Sequence, residues 1–501
     1  MRIVIGYPSL DDSRGYVQVG QNRQSKIFSV GEEAAIFPCV MAWAATLLKQ
    51  AGHEVSWQDG PTQGLTWDQQ LTDLRDARPD LVCWEIKTPS AKRCYEAVRR
   101  LKEALPDTIV VIVGDHATAL PEEVAEACGA YVLPGGDYDF ALRSFISARA
   151  ISHGWGALVQ PYPTDTKLDT LPVIDRELCH WRDYSRMGNY LRRPGTHIYS
   201  ARDCWWRARP TIDGAGNVIS PEQNVLGGCT FCSWTSTFPN YRRMSVDQFM
   251  AEVESCHALG AREVFDDAGT WAPPGPWFEA ACAALRAHNR GRTWLGARTV
   301  LGCNDRPGAR SREHYRVMAA AGFRFILYGL ESANLDTLTR INKGQKAEDM
   351  RNAAKWASEA GLHPHLTVMF GYPWETGEDA DRTVGLVQEL FDRGWANSMQ
   401  ATLLMPYPGT ALFRQAEENG WLLTRDWDRY TMNECILTCP MTHAEVLEKI
   451  RDCYKAAVTP RYLMRKVFSV RSRDDLRFFW NGFKFWWGHL TDFGPLNSRR
   501  P

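Results

Sequence analysis

No stretch of this chain is apolar for long enough to cross a bilayer, and the N-terminal MRIVIGYPSL enters a strand directly, without the zones of a secretory leader. A cytoplasmic protein with no transmembrane segment is the expectation. Neither sign of charge is in excess: 58 Lys and Arg stand against 59 Asp and Glu, a balance that argues against a nucleic-acid binder. Internal repeats and low-complexity tracts are missing too, which excludes a repeat array. A disulfide framework has little support. The 14 cysteines mostly stand alone in apolar or helical surroundings, and Cys39, Cys83, Cys128 and Cys282 read as small core residues.

What is present is a globular composition, 44% hydrophobic and 23% charged, over 501 residues, too many for one ordinary domain. The 20 tryptophans suit core and interface packing, with a large apolar or aromatic substrate as the second reading.

Residues 1–150 alternate strand and helix. Strands are predicted at 2–6, 53–57, 81–86, 108–113 and 130–133, and helices at 34–51, 91–105 and 121–128. Such βαβ repetition implies a doubly wound, Rossmann-like parallel sheet, with its ligand beyond the carboxyl ends of the strands. Residues 151–195 read as a proline-rich linker crossing the surface between domains. A second βα series follows over 196–430, with strands at 197–200, 263–265, 293–296, 325–330, 365–370 and 400–404 and helices such as 246–259 and 347–360. Six units fit a partial TIM-type (β/α)6 barrel whose chemistry lies at the strand C-termini. Residues 431–501 form a helical, aromatic-rich extension. In it, LRFFWNGFKFWW at 476–487 reads as packing over the barrel, with a membrane-surface helix as the alternative.

Three cysteines stand out in CWWRARPTIDGAGNVISPEQNVLGGCTFCSW. Cys229 and Cys232 form a C-x-x-C, and 24 residues separate Cys204 from Cys229. Three thiolates can hold a [4Fe–4S] cluster and leave one iron open. TIDGAGNVIS carries two β-branched runs around a turn, a hairpin signal that brings the ends of the insert together. From the residues alone, a C-x-x-C plus an unrelated core cysteine stands about as well. Cys435 and Cys439 lack companions for a second cluster and read as core or substrate-facing thiols.

With the surrounding motifs, the chain resembles the cobalamin-dependent radical S-adenosylmethionine (SAM) enzymes, in which a B12-binding domain precedes a radical SAM barrel. RDCWW followed by CTFCSW is similar to the family's C-x3-C-x2-C opened by a long insert, with the aromatic Phe231 before the last cysteine. FDDAGTW, GLESAN trailed by INKGQ, MFGYPWET and LMPYPGTALF then follow in family order, and VIVGDHATALPEEV with Gly135-Gly136 resembles the B12 domain.

The resemblance implies a cluster on Cys204, Cys229 and Cys232, with SAM chelated by the open iron. Phe231, Asp267, Glu331, Ser332, Gly371 and Pro373 would lie around SAM. Arg298 of ARTV would join them, or pair with Glu331 at the barrel mouth, while Asp266 and Asp267 could instead be a solvated loop. Ser90, Gly114, His116, Gly135 and Gly136 would contact cobalamin, the glycines admitting close backbone approach. The cobalt-ligating motif D-x-H-x-x-G is absent, so His116 reads as a hydrogen-bonding residue and the cofactor as lacking a lower histidine ligand. The implied activity is methylation of an unactivated carbon through a 5′-deoxyadenosyl radical and methylcobalamin. The alternatives are oxidative cyclisation, rearrangement, or a first domain that is only structural. A small-molecule, lipid-like or aromatic substrate and a flavodoxin or ferredoxin donor are the expected partners.

Overall fold

The structure, a computed structural model, describes residues 1–10, 16–17, 27–28, 35–147, 166–186, 190–206, 211–212, 218–220, 228–238, 240–292 and 298–492. Five strands open the chain: β1 (Arg2–Tyr7), β2 (Glu54–Asp59), β3 (Leu81–Glu85), β4 (Ile109–Val113) and β5 (Tyr131–Val132). All pair in parallel, in the order β2-β1-β3-β4-β5. The runs LVCWE and IVVIV are apolar almost throughout because helices cover both faces of the sheet, and β3 is buried along its length. The strand order reverses between β1 and β3, which opens a crevice at their carboxyl ends. The first helix starts at Cys39 rather than 34, since Pro38 disfavours the helical conformation of the residue before it.

Six parallel strands form the second sheet in sequential order: β6 (Gly195–Ile198), β7 (Glu263–Asp266), β8 (Val300–Asp305), β9 (Phe323–Glu331), β10 (His363–Phe370) and β11 (Ser398–Leu403). This curled sheet is a partial barrel, with β6 and β11 at its edges. Intervening helices such as Val246–Ala258 and Gly377–Asp392 start on Ser245 and Thr376, whose side chains accept a first-turn N–H. The β11 edge is closed by Tyr454 of the helix His443–Ala457, whose hydroxyl accepts from Ala401 N at 3.0 Å and donates to Ala401 O at 3.2 Å. The expected strand at 293–296 falls outside the described residues. The strand serving that place is β8, several residues later.

The expected surface linker differs most. From Leu168 to Tyr184 it is wedged between the two sheets, with Leu168, Leu171, Ile174, Trp181 and Tyr184 buried. Trp43 donates to Pro172 O at 3.0 Å, and Tyr184 OH donates to Asp59 at 2.6 Å. The apolar residues of LDTLPVID act as mortar here, so the prolines signal irregular backbone without exposure.

A buried charge quartet completes the joint. Arg202 donates to Asp137 at 2.6 Å and to both carboxylate oxygens of Asp139, and Arg242 holds Asp137 at 2.9 and 2.7 Å. Both aspartates follow β5, and both arginines flank the insert. Thr211–Ile212 and Val218–Ser220 pair antiparallel as a hairpin, and Thr211–Ile212 continues through Arg242–Arg243 to Ala201–Arg202.

Candidate active site between two sets of strand ends

Cys204, Cys229 and Cys232 are all half-buried, past the carboxyl end of β6. Asp203 takes a left-handed conformation (φ 67°) that turns the chain into Cys204, and its Oδ1 accepts the Cys204 N–H at 2.8 Å. Gly269 fits beneath this turn, where a Cβ would lie 2.8 Å from Asp203 O. Thr270 Oγ1 sits 3.2 Å from Cys204 Sγ.

The ends of the insert meet at one residue. Trp206 Nε1 donates to Asn342 O at 3.1 Å, and Asn342 Nδ2 donates to Gly228 O at 2.8 Å. Thr230 N adds a bond to Ile341 O at 3.0 Å. The INKGQ turn therefore pins both flanks of the insert, with the Trp206 ring lying where Gly344 has no side chain.

Electrostatics links the three thiols in series, since Cys229 interacts with both Cys204 and Cys232. Burial raises the Cys204 thiol to about 11 and pushes Cys229 up too, against the pull of Lys343 and Arg306. Iron binding would displace those protons. Among the described residues no three His, Cys, Asp or Glu side chains converge on a single-ion site. A [4Fe–4S] cube places each thiolate on a different iron, so convergence on one point is not required. Three soft donors beside two cations at one loop fit an anionic cluster.

The other expected SAM-side residues divide. Glu331 (φ 62°) ends β9 and pairs with buried Lys343 at 2.7 Å. Ser332 Oγ accepts from Asn334 N at 3.2 Å and Nδ2 at 3.1 Å, which ties it to the loop itself. Asp266 and Asp267 are buried, not solvated: Asp266 accepts from Ser200 N and Ala268 N and burial raises it to about 6, while Asp267 accepts from Asn304 at 3.3 Å. Gly371 (φ 88°) and Pro373 follow β10, and Gly371 N donates to the buried Glu375 at 2.8 Å. Phe231 packs on an apolar cluster containing Met369, Tyr372 and Leu404, with Lys343 Nζ 5.7 Å from its ring. Cys435 and Cys439 flank the Gly371–Glu375 loop.

Arg298 is a correction. Because the strand is Val300–Asp305, Arg298 precedes it and lies near Gly322 at the amino end of the sheet, away from Glu331. The arginine at the carboxyl end is Arg306, stacked 3.8 Å over the Trp206 ring and interacting with Cys229. Arg306 and Lys343 were missed, although Lys343 lies within INKGQ, and a cation just past a β8 end would have been the signal.

At the first sheet, Lys87 bridges Glu85 (2.8 Å) and Asp115 (3.4 Å) beyond β3 and β4. Ser90 Oγ donates to Lys87 O. Both ring nitrogens of buried His116 are engaged, by Tyr95 OH at 2.8 Å and Thr88 Oγ1 at 3.1 Å, and burial holds it neutral, down to about 3. That geometry leaves it no nitrogen for cobalt. Gly135 N donates to Thr118 Oγ1 at 2.7 Å. The protein itself fills the space beside two expected cobalamin glycines: a Cβ on Gly136 would meet the Phe238 ring at 2.5 Å, and one on Gly114 would meet Ile86 O at 2.7 Å.

A narrow cleft of about 20 Å³, open to solvent, joins the two halves, lined by Glu85, Lys87, Asp115 and Gly136 on one side and Ser233, Trp234, Thr237 and Phe238 on the other. Its charged floor and aromatic wall suit an amide-fringed macrocycle in chemistry, but the gap is water-sized, with the Phe238 ring filling the space beside Gly136, so a macrocycle would enter only if that wall moved.

A parallel sheet with its switch point turned toward a half-barrel bearing three thiols defines a two-domain cofactor enzyme. Residues 36–140 match the B12 binding domain and residues 226–387 the Radical SAM superfamily, so a B12-binding domain stands ahead of a radical SAM domain in this chain. The second match begins past Cys204 and contains Cys229 and Cys232.

The chain is 24% identical over 453 residues to an uncharacterized methyltransferase of Pyrococcus horikoshii, covering 86% of this chain and 90% of that protein. It is 22% identical to the anaerobic magnesium-protoporphyrin IX monomethyl ester cyclase of Rubrivivax gelatinosus, over 86% of this chain and 74% of the cyclase. Among solved structures, the radical SAM methyltransferase TsrM of Kitasatospora setae, with cobalamin and a [4Fe-4S] cluster bound, matches with a TM-score of 0.62 at 16% identity, over 92% of this chain and 89% of that one. The cobalamin-dependent SAM radical enzyme OxsB matches at 0.65 and 12%, over 98% and 72%.

Proposed function

We propose that the chain is a B12-dependent radical SAM methyltransferase that methylates an unactivated carbon of a small, partly apolar or aromatic molecule. The observation that carries this reading is the shared cleft, in which the loops of the B12-binding domain face Ser233 and Trp234, the residues that directly follow Cys232. When bound, the cluster with SAM supplies a radical oxidant and methylcobalamin supplies the methyl group.

The chain's own part is to position and to exclude water. Cys204, Cys229 and Cys232 would hold the cluster, with Arg306 and Lys343 offsetting its negative charge. Buried Asp267 would bind the SAM amino group, Glu331, held by Lys343, would lie by its ribose or methionine part, and the backbone at Gly371 and Pro373 would border its adenine. Trp234 and Phe238 keep the joint between the domains dry. A flavodoxin- or ferredoxin-type protein would supply the electron.

Methyl-labelled SAM, given to the reconstituted enzyme with candidate substrates, tests this: label is expected on carbon in the product. The cyclase relative motivates a second reading, for which the product would be an unlabelled ring. A protein that carries the cluster but never takes up cobalamin would defeat both readings and leave the first domain structural.

A further inference from the structure

The large apolar side chains left exposed among the described residues concentrate on the two consecutive helices that end the described chain. Outside them only Met1, Leu335 and Leu423 are exposed. On the helix Arg473–Asp492, Leu476, Trp480, Phe483 and Trp487 fall on one helical face, each at least 51% exposed. The rings of Trp480 and Phe483, and of Phe483 and Trp487, stack at 6.0 and 6.4 Å. Val467 and Phe468 of the preceding helix Pro460–Ser469 add 69% and 66% exposure. The opposite face is fixed to the barrel: Trp486 donates to Tyr454 O at 3.0 Å, and Arg192 holds Asp474 at 3.0 Å.

Charge divides in the same way. Between 460 and 487 every exposed charged side chain is cationic: Arg461, Arg465, Arg471, Arg473 and Lys484. The two acids of that stretch, Asp474 and Asp475, turn to Arg192. Aromatic and aliphatic residues on one side with exposed cations around them are the signature of a helix that lies in a membrane interface. Neither helix is long and apolar enough to span one. A second copy of the chain is a poorer occupant, because a two-fold contact through this face would set the cations against their own copies.

We propose that these two helices dock the protein on an anionic lipid surface, the aromatic stripe entering the headgroup boundary and the arginines meeting lipid phosphates. The proposal is independent of the reaction catalysed. The test is co-sedimentation of the full-length holoprotein with vesicles of phosphatidylcholine alone and of phosphatidylcholine with roughly one-third phosphatidylglycerol. Binding at least about 100-fold stronger to the anionic vesicles, weakening as salt rises, is expected. Trp480→Ser/Phe483→Ser/Trp487→Ser should abolish it. Arg461→Gln/Arg471→Gln/Arg473→Gln should weaken it by about 100-fold, roughly fivefold per arginine, with iron content unchanged. The proposal is overturned by no binding to either vesicle, by equal binding to both, or by an arginine variant that binds as the parent does. Sedimentation showing a dimer that the aromatic substitutions dissolve would overturn it in favour of a second copy.

Discussion

Replacing Arg202 with Met tests the joint on which the site depends. Arg202 is 1% exposed and donates to both Asp137 and Asp139, neither of which reaches solvent. Four charges balance there, two from each side of the joint. Removing Arg202 leaves two buried carboxylates facing Arg242 alone, and breaking a buried pair in this way costs about 3–5 kcal/mol. A domain of ~150–250 residues shifts by ~2–4 °C per kcal/mol, so the thermal midpoint should fall by roughly 6–20 °C. The measurement is anaerobic scanning calorimetry or circular dichroism at neutral pH. Arg202→Met/Asp139→Leu should recover most of the loss, because the orphaned charge leaves with its partner. A single variant within about 2 °C of the parent, or a double variant no better than the single, would refute the reasoning.

Cys204→Ala should reduce iron content to near background while leaving the helical signal intact; full iron content would return Cys204 to the core. Glu375 is buried, and burial raises its carboxyl to about 8 from 4.5. The folded state thus holds a proton that the unfolded chain releases, so parent stability should fall as pH rises from 4.5 to 8. Glu375→Gln should flatten that fall by a few kcal/mol, and thermal midpoints at both ends of the window that keep their parental difference would contradict it. Phe238→Ala should enlarge the cleft beside Gly136 and speed cobalamin uptake severalfold by absorbance; unchanged uptake would mean that this wall does not gate the cofactor.

Much of the fold was legible because its signals are local. β3 and β4 are uninterrupted apolar runs, and Pro121–Cys128 is bounded by Pro121 and Gly129. The hairpin of the insert was written in its two β-branched runs. The third barrel strand was not: VLGCND is broken by Gly302, which packs against Phe265, so only the tertiary neighbours reveal that it is a buried strand. That shift of register carried Arg298 to the wrong end of the sheet and hid Arg306. Lys343 is joined to Glu331 across 12 residues, a pairing that periodicity cannot express. The tail was half legible. Its stripe of aromatics was plain, but which face meets the barrel is decided by Tyr454 and Arg192, far away in sequence.

The turn after β5 has a consequence for how such an enzyme can be taken apart. On one side of the thiol loop, Arg202 is tied to Asp137 and Asp139; on the other, the carbonyl of Thr237 accepts from Gly136 N at 2.8 Å. Both ends of the loop that carries Cys204, Cys229 and Cys232 are thus moored to the same few residues of the neighbouring domain. Exchange of the first domain for that of a relative, by recombination or by design, would carry off half of the scaffold for the thiols unless residues 136–139 travelled with the barrel. The two domains are separate in sequence, but the thiol loop is held by both.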